Sequence, residues 1–591
     1  MAFCEKVRTT LGENGMAEKV NTGNSLLDYF DKCCRDLEPE KHRIFIKCII
    51  DETKLENNPN KIFELFVMML QVRDCRGGKG DKLPFYNMMQ IMFEYFPITV
   101  VSIVKDIPYY GYWKDLLLVI KHVTNNPIQG IDYLLLKNKC YSVMANQLLK
   151  DYDKLKNGDT QITFVGKFAP RKGKEFDRKL NAVSNLVKIM FPDLVGSCLN
   201  GKSKEKKTIA WNSAFANYRK IVSALSTALN VPEQHMCSGR WQEIDFAQNV
   251  TSLCLNRNMN SFLNQTKSGE VKYPENQDRI LCAEHVIENL SNLPGKVLSP
   301  HELIKSIIYN KKLTTNSEAV IESQWRKIRE NVIEQTMSFA PDTNFKLSSL
   351  VPIADVSGSM LGTPIEVCIA LSILLSEITH ENFRNLILTF SSDCRCEDFS
   401  QCPNIVEKVK KLRTMHWGMS TNFVLAMQRI AKIVEDNGLT TEETPDLCVF
   451  SDMQFDSACV EYNCSDKWST MYEKIIIIFN NLGMRMDGTP RPAPKIVFWN
   501  LRSDTIGYPV EATQSGVVTM SGYNPSLMKY FLSGQLDGVD EEIIDKETGL
   551  VNKTSREITP LDNFKNIISD PRYIPIWDKV SQSPEINNKY G

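Results

Sequence analysis

The sequence predicts a multidomain chain: an all-α array of the HEAT type over residues 1–340, then a doubly wound α/β domain over residues 349–591. Three observations carry this reading. Apolar residues recur at helical spacing through the first 340 positions and then, around Ala340–Ser348, give way to short apolar strands alternating with helices. At 591 residues the chain is also too long for one hydrophobic core. Finally, the charge balance changes sign at the same place. Residues 1–340 carry 47 Lys+Arg against 38 Asp+Glu and the rest 23 against 33, although the whole chain nets −1.

In the helical part, Lys61–Val72, Tyr86–Phe96, Trp113–Ile120 and Leu180–Met190 have helical periodicity, with breaks at Asn57–Asn60 and Asn125–Pro127. No strict repeat period runs through them, so the expectation is an irregular array. The first dense polar motif is Arg73–Asp81, RDCRGGKGD. Its glycines permit close backbone approach, and Arg73, Arg76 and Lys79 could clamp phosphate oxygens. The competing reading is an interhelical turn in which Arg73 and Asp74 pair locally. The P-loop spacing is absent. Tyr109–Leu116, YYGYWKDL, offers aromatics for base stacking, but a core corner between helices fits it better.

The basic excess is concentrated in residues 161–220, with 13 basic and 4 acidic side chains. Thr163–Asp177 supplies Lys167, Arg171, Lys172 and Lys174 among three phenylalanines, and Lys202, Lys204, Lys206 and Lys207 follow. Such a window is either a solvated face or a polyanion-binding patch for RNA or DNA. His235, beside Met236 and Cys237, reads as a structural histidine.

Pro341 and Asn344 mark a hinge at 341–348. Beyond it, strands are expected at Leu350–Ala354, Leu386–Phe390, Leu447–Phe450, Lys495–Trp499 and Val517–Met520. Helices are expected at Ile365–Ile378, near Ile405–Leu412, and at Phe423–Val434, Trp468–Asn480 and Pro525–Leu532. Thr363, Pro364 and Glu366 form a capping-box pattern at the first of these helices. In such sheets ligands bind at the carboxyl ends of strands.

That edge carries the candidate metal centre. The run Leu350–Ala354 stops at Asp355, and Ser357 and Ser359 follow at alternate positions. Thr421 precedes a helix, and Asp452 ends the strand Leu447–Phe450. A carboxylate and short hydroxyls suit a hard cation such as Mg²⁺ or Mn²⁺. Asp-x-Ser-x-Ser at a strand end resembles the metal-ion-dependent adhesion site of von Willebrand factor A (vWA) domains. In that pattern Ser357, Ser359 and sometimes Thr421 touch the metal, and Asp355 and Asp452 act mainly through water. The cation then recruits an outside carboxylate or phosphate oxygen.

Eight ordered motifs, from DCRGGKG and GYWKDLL through KFAPRKGKEFD and DVSGSM to FSDMQFD and KIVFWNL, resemble the DUF2828 family from about residue 25 to about 535. The architecture is similar to the TROVE-module Ro type, which joins a ring of HEAT-like helices to a vWA domain and binds misfolded small RNAs. Here Ser420-Thr421-Asn422 stands where Asn-Thr-Asp is more usual, which removes one carboxylate beside the threonine. The resemblance implies a non-enzymatic RNA-binding, ribonucleoprotein-like scaffold. A metal-dependent adaptor that captures an acidic protein ligand is the rival.

An enzyme ranks below both, since neither a Ser-His-Asp nor a Cys-His constellation occurs; a metal-dependent nuclease is its remaining form. No apolar run reaches membrane-spanning length and the N-terminus has no signal-peptide core, so no membrane partner is expected. The 17 cysteines are scattered, consistent with free thiols in the reducing cytoplasm. The seven histidines fall in no zinc-binding pattern.

Overall fold

The computed structural model describes residues 8–12, 14–196, 202–310, 312–339, 349–390, 394–414, 423–455, 470–532, 539–544 and 551–590. The expected hinge at 341–348 lies outside these. The first part is helical, after a short hairpin of β1 (Thr9–Leu11) and β2 (Ala17–Lys19). Its principal helices are α1 (Ser25–Lys32), α2 (Pro39–Glu56), α3 (Asn60–Arg73), α4 (Leu83–Tyr95) and α5 (Trp113–Asn125). They continue with α6 (Leu134–Lys156), α7 (Ala182–Met190), α8 (Lys204–Ala228), α9 (Pro300–Tyr309) and α10 (Thr315–Phe339).

Local chemistry sets the helix ends. The Asn24 side chain accepts from Leu27 N at 3.0 Å to start α1, and Ser203 caps α8 through Lys206 N. Asp115 closes the start of α5 by accepting from Tyr112 N at 2.6 Å. Helix α3 is buried on all sides from Ile62 to Arg73, which places it at the centre of the array.

The second part is a six-stranded sheet of order β5-β4-β3-β6-β7-β8. The strands are β3 (Leu350–Asp355), β4 (Leu386–Phe390), β5 (Cys394–Asp398), β6 (Asp446–Ser451), β7 (Ile496–Asn500) and β8 (Val517–Ser521). All neighbours are parallel except β5, an antiparallel edge strand that the sequence pattern does not announce. Helices α11 (Thr363–Ile378), α12 (Ile405–Thr414), α13 (Phe423–Asn437) and α14 (Met471–Met486) alternate with the strands as expected. Residues Pro525–Leu532 form a 3₁₀ turn that runs into one helical turn.

Helix α11 is buried almost entirely, from Ile365 to Ile378. Its expected capping box does not form. Gly362, at φ +96°, is the N-cap, no side chain caps the helix, and Glu366 is buried. The backbone needs a left-handed residue there, so Thr363 enters the helix instead of capping it.

One core cluster spans the two parts, with buried residues running from Leu26 to Tyr590, and a second lies on the other face of the sheet beneath α13 and α14. The chain crosses between the two parts at both ends. At the N-terminal end, Lys19 N donates to Tyr508 O at 2.8 Å, and the α1 residue Phe30 packs on Phe564 at 5.3 Å. Three C-terminal helices, α15 (Pro560–Ile568), α16 (Ile574–Ser581) and α17 (Pro584–Tyr590), lie against the helical array. Trp577 packs edge-on to Phe63, and Glu585 accepts from Thr99 N at 2.8 Å. The sheet edge is thereby fixed relative to the helices.

Candidate functional site

Strand β3 pairs with β4 on one side and β6 on the other. The path of the chain over the sheet therefore reverses beside β3, and a crevice opens at the carboxyl ends of β3 and β6. Asp355 is the last residue of β3, and Asp452 follows the last residue of β6. Both are fully buried.

Each carboxylate is oriented by its own loop. Asp355 Oδ1 accepts from Ser357 N at 2.9 Å, and Oδ2 accepts from Ser451 Oγ at 2.5 Å. Ser451 Oγ also accepts from Met453 N at 3.1 Å, and Asp452 Oδ1 accepts from Gln454 N at 3.1 Å. Met453 pays for this turn with a φ of +64°, a strained setting for a non-glycine residue. Burial first, and Asp452 second, push the Asp355 carboxyl up to about 7 against the bonds from Ser451 and Ser357.

The hydroxyls of Ser357 and Ser359 lie 3.0 Å apart, with Ser357 buried and Ser359 exposed. An octahedral shell of oxygens at about 2.1 Å places neighbouring oxygens about 3.0 Å apart. That spacing, an all-oxygen donor set and two buried carboxylates fit a hard divalent cation. Thr421, the fifth expected ligand, lies outside the described residues.

Two groups at this edge escape the sequence reading. Ser451 is one, although it stands directly before Asp452. Arg502 is the other: its Nη1 donates to Ser359 O at 3.1 Å and lies 3.4 Å from Asp452 Oδ2. It sits two residues beyond the end of β7, so the rule that pointed to Asp355 and Asp452 could have found it.

The phosphate-clamp reading of RDCRGGKGD is overturned for two of its three cations. Arg73 is fully buried and donates to Asp115 Oδ2 through Nε at 3.0 Å and Nη2 at 2.7 Å. Tyr86 completes that cluster by donating to Asp115 Oδ1 at 2.6 Å. Lys79 is also fully buried, bonded to Phe30 O, Cys33 O and Ser521 Oγ. The glycines serve the turn: a Cβ on Gly78 would lie 2.0 Å from Gln71 O, and Gly80 has φ +74°. The motif is thus an interhelical turn, though Arg73 pairs with Asp115 and Asp74 with Arg572. Only Arg76 reaches the surface, and its Nη1 donates to Tyr109 O at 2.7 Å. YYGYWKDL is a core corner: Tyr110 stacks on Tyr573 at 5.7 Å and donates to Arg572 O. His235, bonded to Asn230 Oδ1, is buried and structural in its contacts.

The basic window behaves differently. Tyr218 on α8 donates to Pro170 O at 2.9 Å, Arg171 Nη2 donates to Ser226 Oγ at 2.7 Å, and the Lys172 ammonium stands 4.2 Å from the Phe215 ring. These contacts bind the 170–174 loop to α8, so Arg171, Lys172 and Lys174 share a surface with that helix. Lys202, Lys204, Lys206, Lys207, Arg219 and Lys220 are exposed and form no ion pair among the described residues. Two cations of the window do pair: Lys167 is half-buried and 3.6 Å from Glu233, and Lys172 is 3.8 Å from Asp177.

Comparison with known proteins matches the two halves separately. Residues 349–568 match DUF7788, a domain of unknown function, so a second family model covers the sheet, where the ordered motifs implied DUF2828 as far as about 535. The chain is similar to the uncharacterized protein L728 of Acanthamoeba polyphaga mimivirus, at 25% identity over 98% of this chain and 96% of that one. No solved structure matches the chain. Residues 129–337 match the model of DUF2828, likewise a domain of unknown function and the family that the ordered motifs implied.

Proposed function

We propose that this protein is a non-enzymatic, RNA-binding scaffold of ribonucleoprotein type, with HEAT- or TROVE-like helices and a vWA-like domain bearing a Mg²⁺ or Mn²⁺ adhesion site. The observation that carries the RNA reading is the surface shared by the 170–174 loop and α8. Its exposed cations are gathered on one 25-residue helix and the loop held against it, and of these only Lys172, 3.8 Å from Asp177 Oδ2, has an acidic partner among the described residues. Such a surface suits a phosphate backbone, whose binding is dominated by counter-ion release. Asp355, Ser357, Ser359, Thr421 and Asp452 would hold the cation. When bound, it supplies an electrophilic point for a carboxylate or phosphate oxygen of a partner. The buried carboxylates and the Ser451 hydroxyl hold the loops in place. The reading belongs to the cytoplasm, where buried thiols such as Cys33, Cys140 and Cys368 stay reduced.

Charge reversal at Arg171, Lys172 and Lys174 is expected to abolish salt-dependent retention of single-stranded or structured RNA. Retention unchanged by the triple variant would defeat the RNA reading. For the cation, calorimetry with Mg²⁺ or Mn²⁺ is expected to show heat with the wild type and none with Ser357→Ala; equal heats refute the site.

One observation favours the adaptor as a second reading. Leu361, two residues beyond Ser359, is 70% exposed and offers an apolar contact beside the cation site. A partner captured this way is released by EDTA and by Asp355→Ala, and a pulldown that survives both rules it out.

A further inference from the structure

At the carboxyl ends of β3 and β6 stand two fully buried carboxylates, Asp355 and Asp452. Among the described residues, Arg502 is the cation that pairs with either Asp355 or Asp452, through Nη1 and Asp452 Oδ2 at 3.4 Å. The same Nη1 donates to Ser359 O at 3.1 Å, so the guanidinium lies against both the acidic loop and the serine loop.

The side chain is held there from several directions. Its Nη2 donates to Asp504, and its backbone N–H donates to Asn500 Oδ1 at 3.0 Å. The following residues are anchored on the helical part: Ser503 N donates to Asp36 Oδ2 at 3.4 Å, and Lys32 Nζ donates to Thr505 Oγ1 at 2.9 Å. Arg502 is therefore a fixed charge at the edge of the site.

We propose that Arg502 is a built-in competitor that raises the threshold for cation binding at this site to a level that a divalent ion meets and a monovalent ion does not; this rests on the cation reading above. Asp452 already has a counter-ion of charge +1. A monovalent ion that displaced the guanidinium would gain no net charge at the carboxylate pair and would lose the guanidinium's hydrogen bond. A divalent ion replaces one positive charge with two next to two buried carboxylates, where charge–charge interactions are strongest. When the ion binds, the contact of Nη1 with Asp452 is given up, while the existing bond of Nη2 to Asp504 and the backbone anchors keep the side chain at the edge of the site.

The test uses the full-length chain and the variants Arg502→Gln, Arg502→Met and Arg502→Lys. Mn²⁺ binding is followed by calorimetry and by the paramagnetic resonance signal of the free aquo-ion, with far-UV circular dichroism confirming the native fold of each variant. Loss of the positive charge is expected to tighten Mn²⁺ binding by about tenfold in both neutral variants, with Arg502→Lys close to wild type. Addition of K⁺ is expected to compete with Mn²⁺ measurably in the neutral variants and not in the wild type. Unchanged or weaker Mn²⁺ binding in both folded neutral variants overturns the inference and leaves the cation reading standing. Absence of binding in the wild type and in every variant overturns the cation reading itself.

Discussion

Lys79 donates to Ser521 Oγ at 2.6 Å, joining the turn after α3 to the end of β8 across 442 positions of sequence. Its other two protons go to Phe30 O and Cys33 O, so all three donors of the ammonium are used inside the protein. Lys79→Met strands the Cys33 carbonyl in a buried site and leaves the Ser521 hydroxyl only its own bond to Phe30 O, at 2.7 Å. The expected loss is about 2–4 kcal/mol, measured by urea denaturation. RNA retention per folded molecule should stay at the wild-type level. If it falls while stability holds, the phosphate-clamp reading of the glycine motif returns.

The buried contact between Phe30 and Phe564 predicts that the helical array and the sheet unfold together. Phe564→Ala removes a ring from a shared core and should cost about 3–5 kcal/mol. Helical ellipticity and the fluorescence of Trp499, which is buried in β7, are expected to lose midpoint together. Two separated transitions would mean that the parts fold independently.

Two buried histidines predict acid sensitivity. His42, 2.7 Å from the Tyr29 hydroxyl, is held down to about 3 by burial with a smaller push from His122. His301 is likewise held to about 3 by burial, then by Arg35 and Lys305. The unfolded chain takes up protons below 6.5, and the folded chain refuses them until about 3. Their contribution is therefore complete above pH 6.5 and is lost as the pH falls towards 3. By pH 5 the loss amounts to about 2 kcal/mol per histidine. Asp31 acts with the opposite sign. Burial raises it from 3.8 to about 7, so its ionisation erodes stability as pH rises through that range. The difference between wild type and a His42→Gln, His301→Gln variant cancels the Asp31 term. That difference should shrink or reverse between pH 7 and pH 5; a constant difference would show that these imidazoles do not titrate with unfolding.

The sheet was legible because its parallel strands are short apolar runs that end at polar residues, as Leu350–Ala354 does at Asp355. Strand β5 was not: Cys-Arg-Cys-Glu-Asp has no apolar pattern, since an antiparallel edge strand need not be buried on both faces. At the candidate site, Asp355, Ser357, Ser359 and Asp452 followed from the resemblance of Asp-x-Ser-x-Ser to the vWA adhesion-site pattern, together with the rule that ligands bind at strand ends. Arg502 fell outside the reading because a cation at an expected cation site looks like a contradiction until its pairing with Asp452 is seen. Arg73 and Lys79 misled for a related reason. A run of glycines and cations has the same composition whether it faces a phosphate or the carbonyls of a distant loop. Burial decides between the two, and burial here depends on a strand 442 residues away.

The exposed lysines of α8 give the sharpest expectation for the RNA surface. Lys206 and Lys207 lie near the start of the helix and Arg219 and Lys220 between three and four turns further on, all exposed. Their spacing along about 20 Å of helix lets them meet successive phosphates. Each such contact releases a counter-ion, and for a single strand it contributes about 0.7 to the slope of log affinity against log salt. Lys206→Gln with Lys207→Gln should therefore flatten that slope by about 1.4 and weaken binding by a similar factor for unrelated sequences. Because neither side chain forms an ion pair among the described residues, stability should move by less than about 0.5 kcal/mol. Filter binding between 50 and 200 mM salt, a range in which such slopes are well resolved, reads both quantities. A slope unchanged in the double variant would place any RNA off this helix. A slope flattened for one sequence alone would point instead to base-specific contacts, which lysines on an exposed helical face are poorly placed to make.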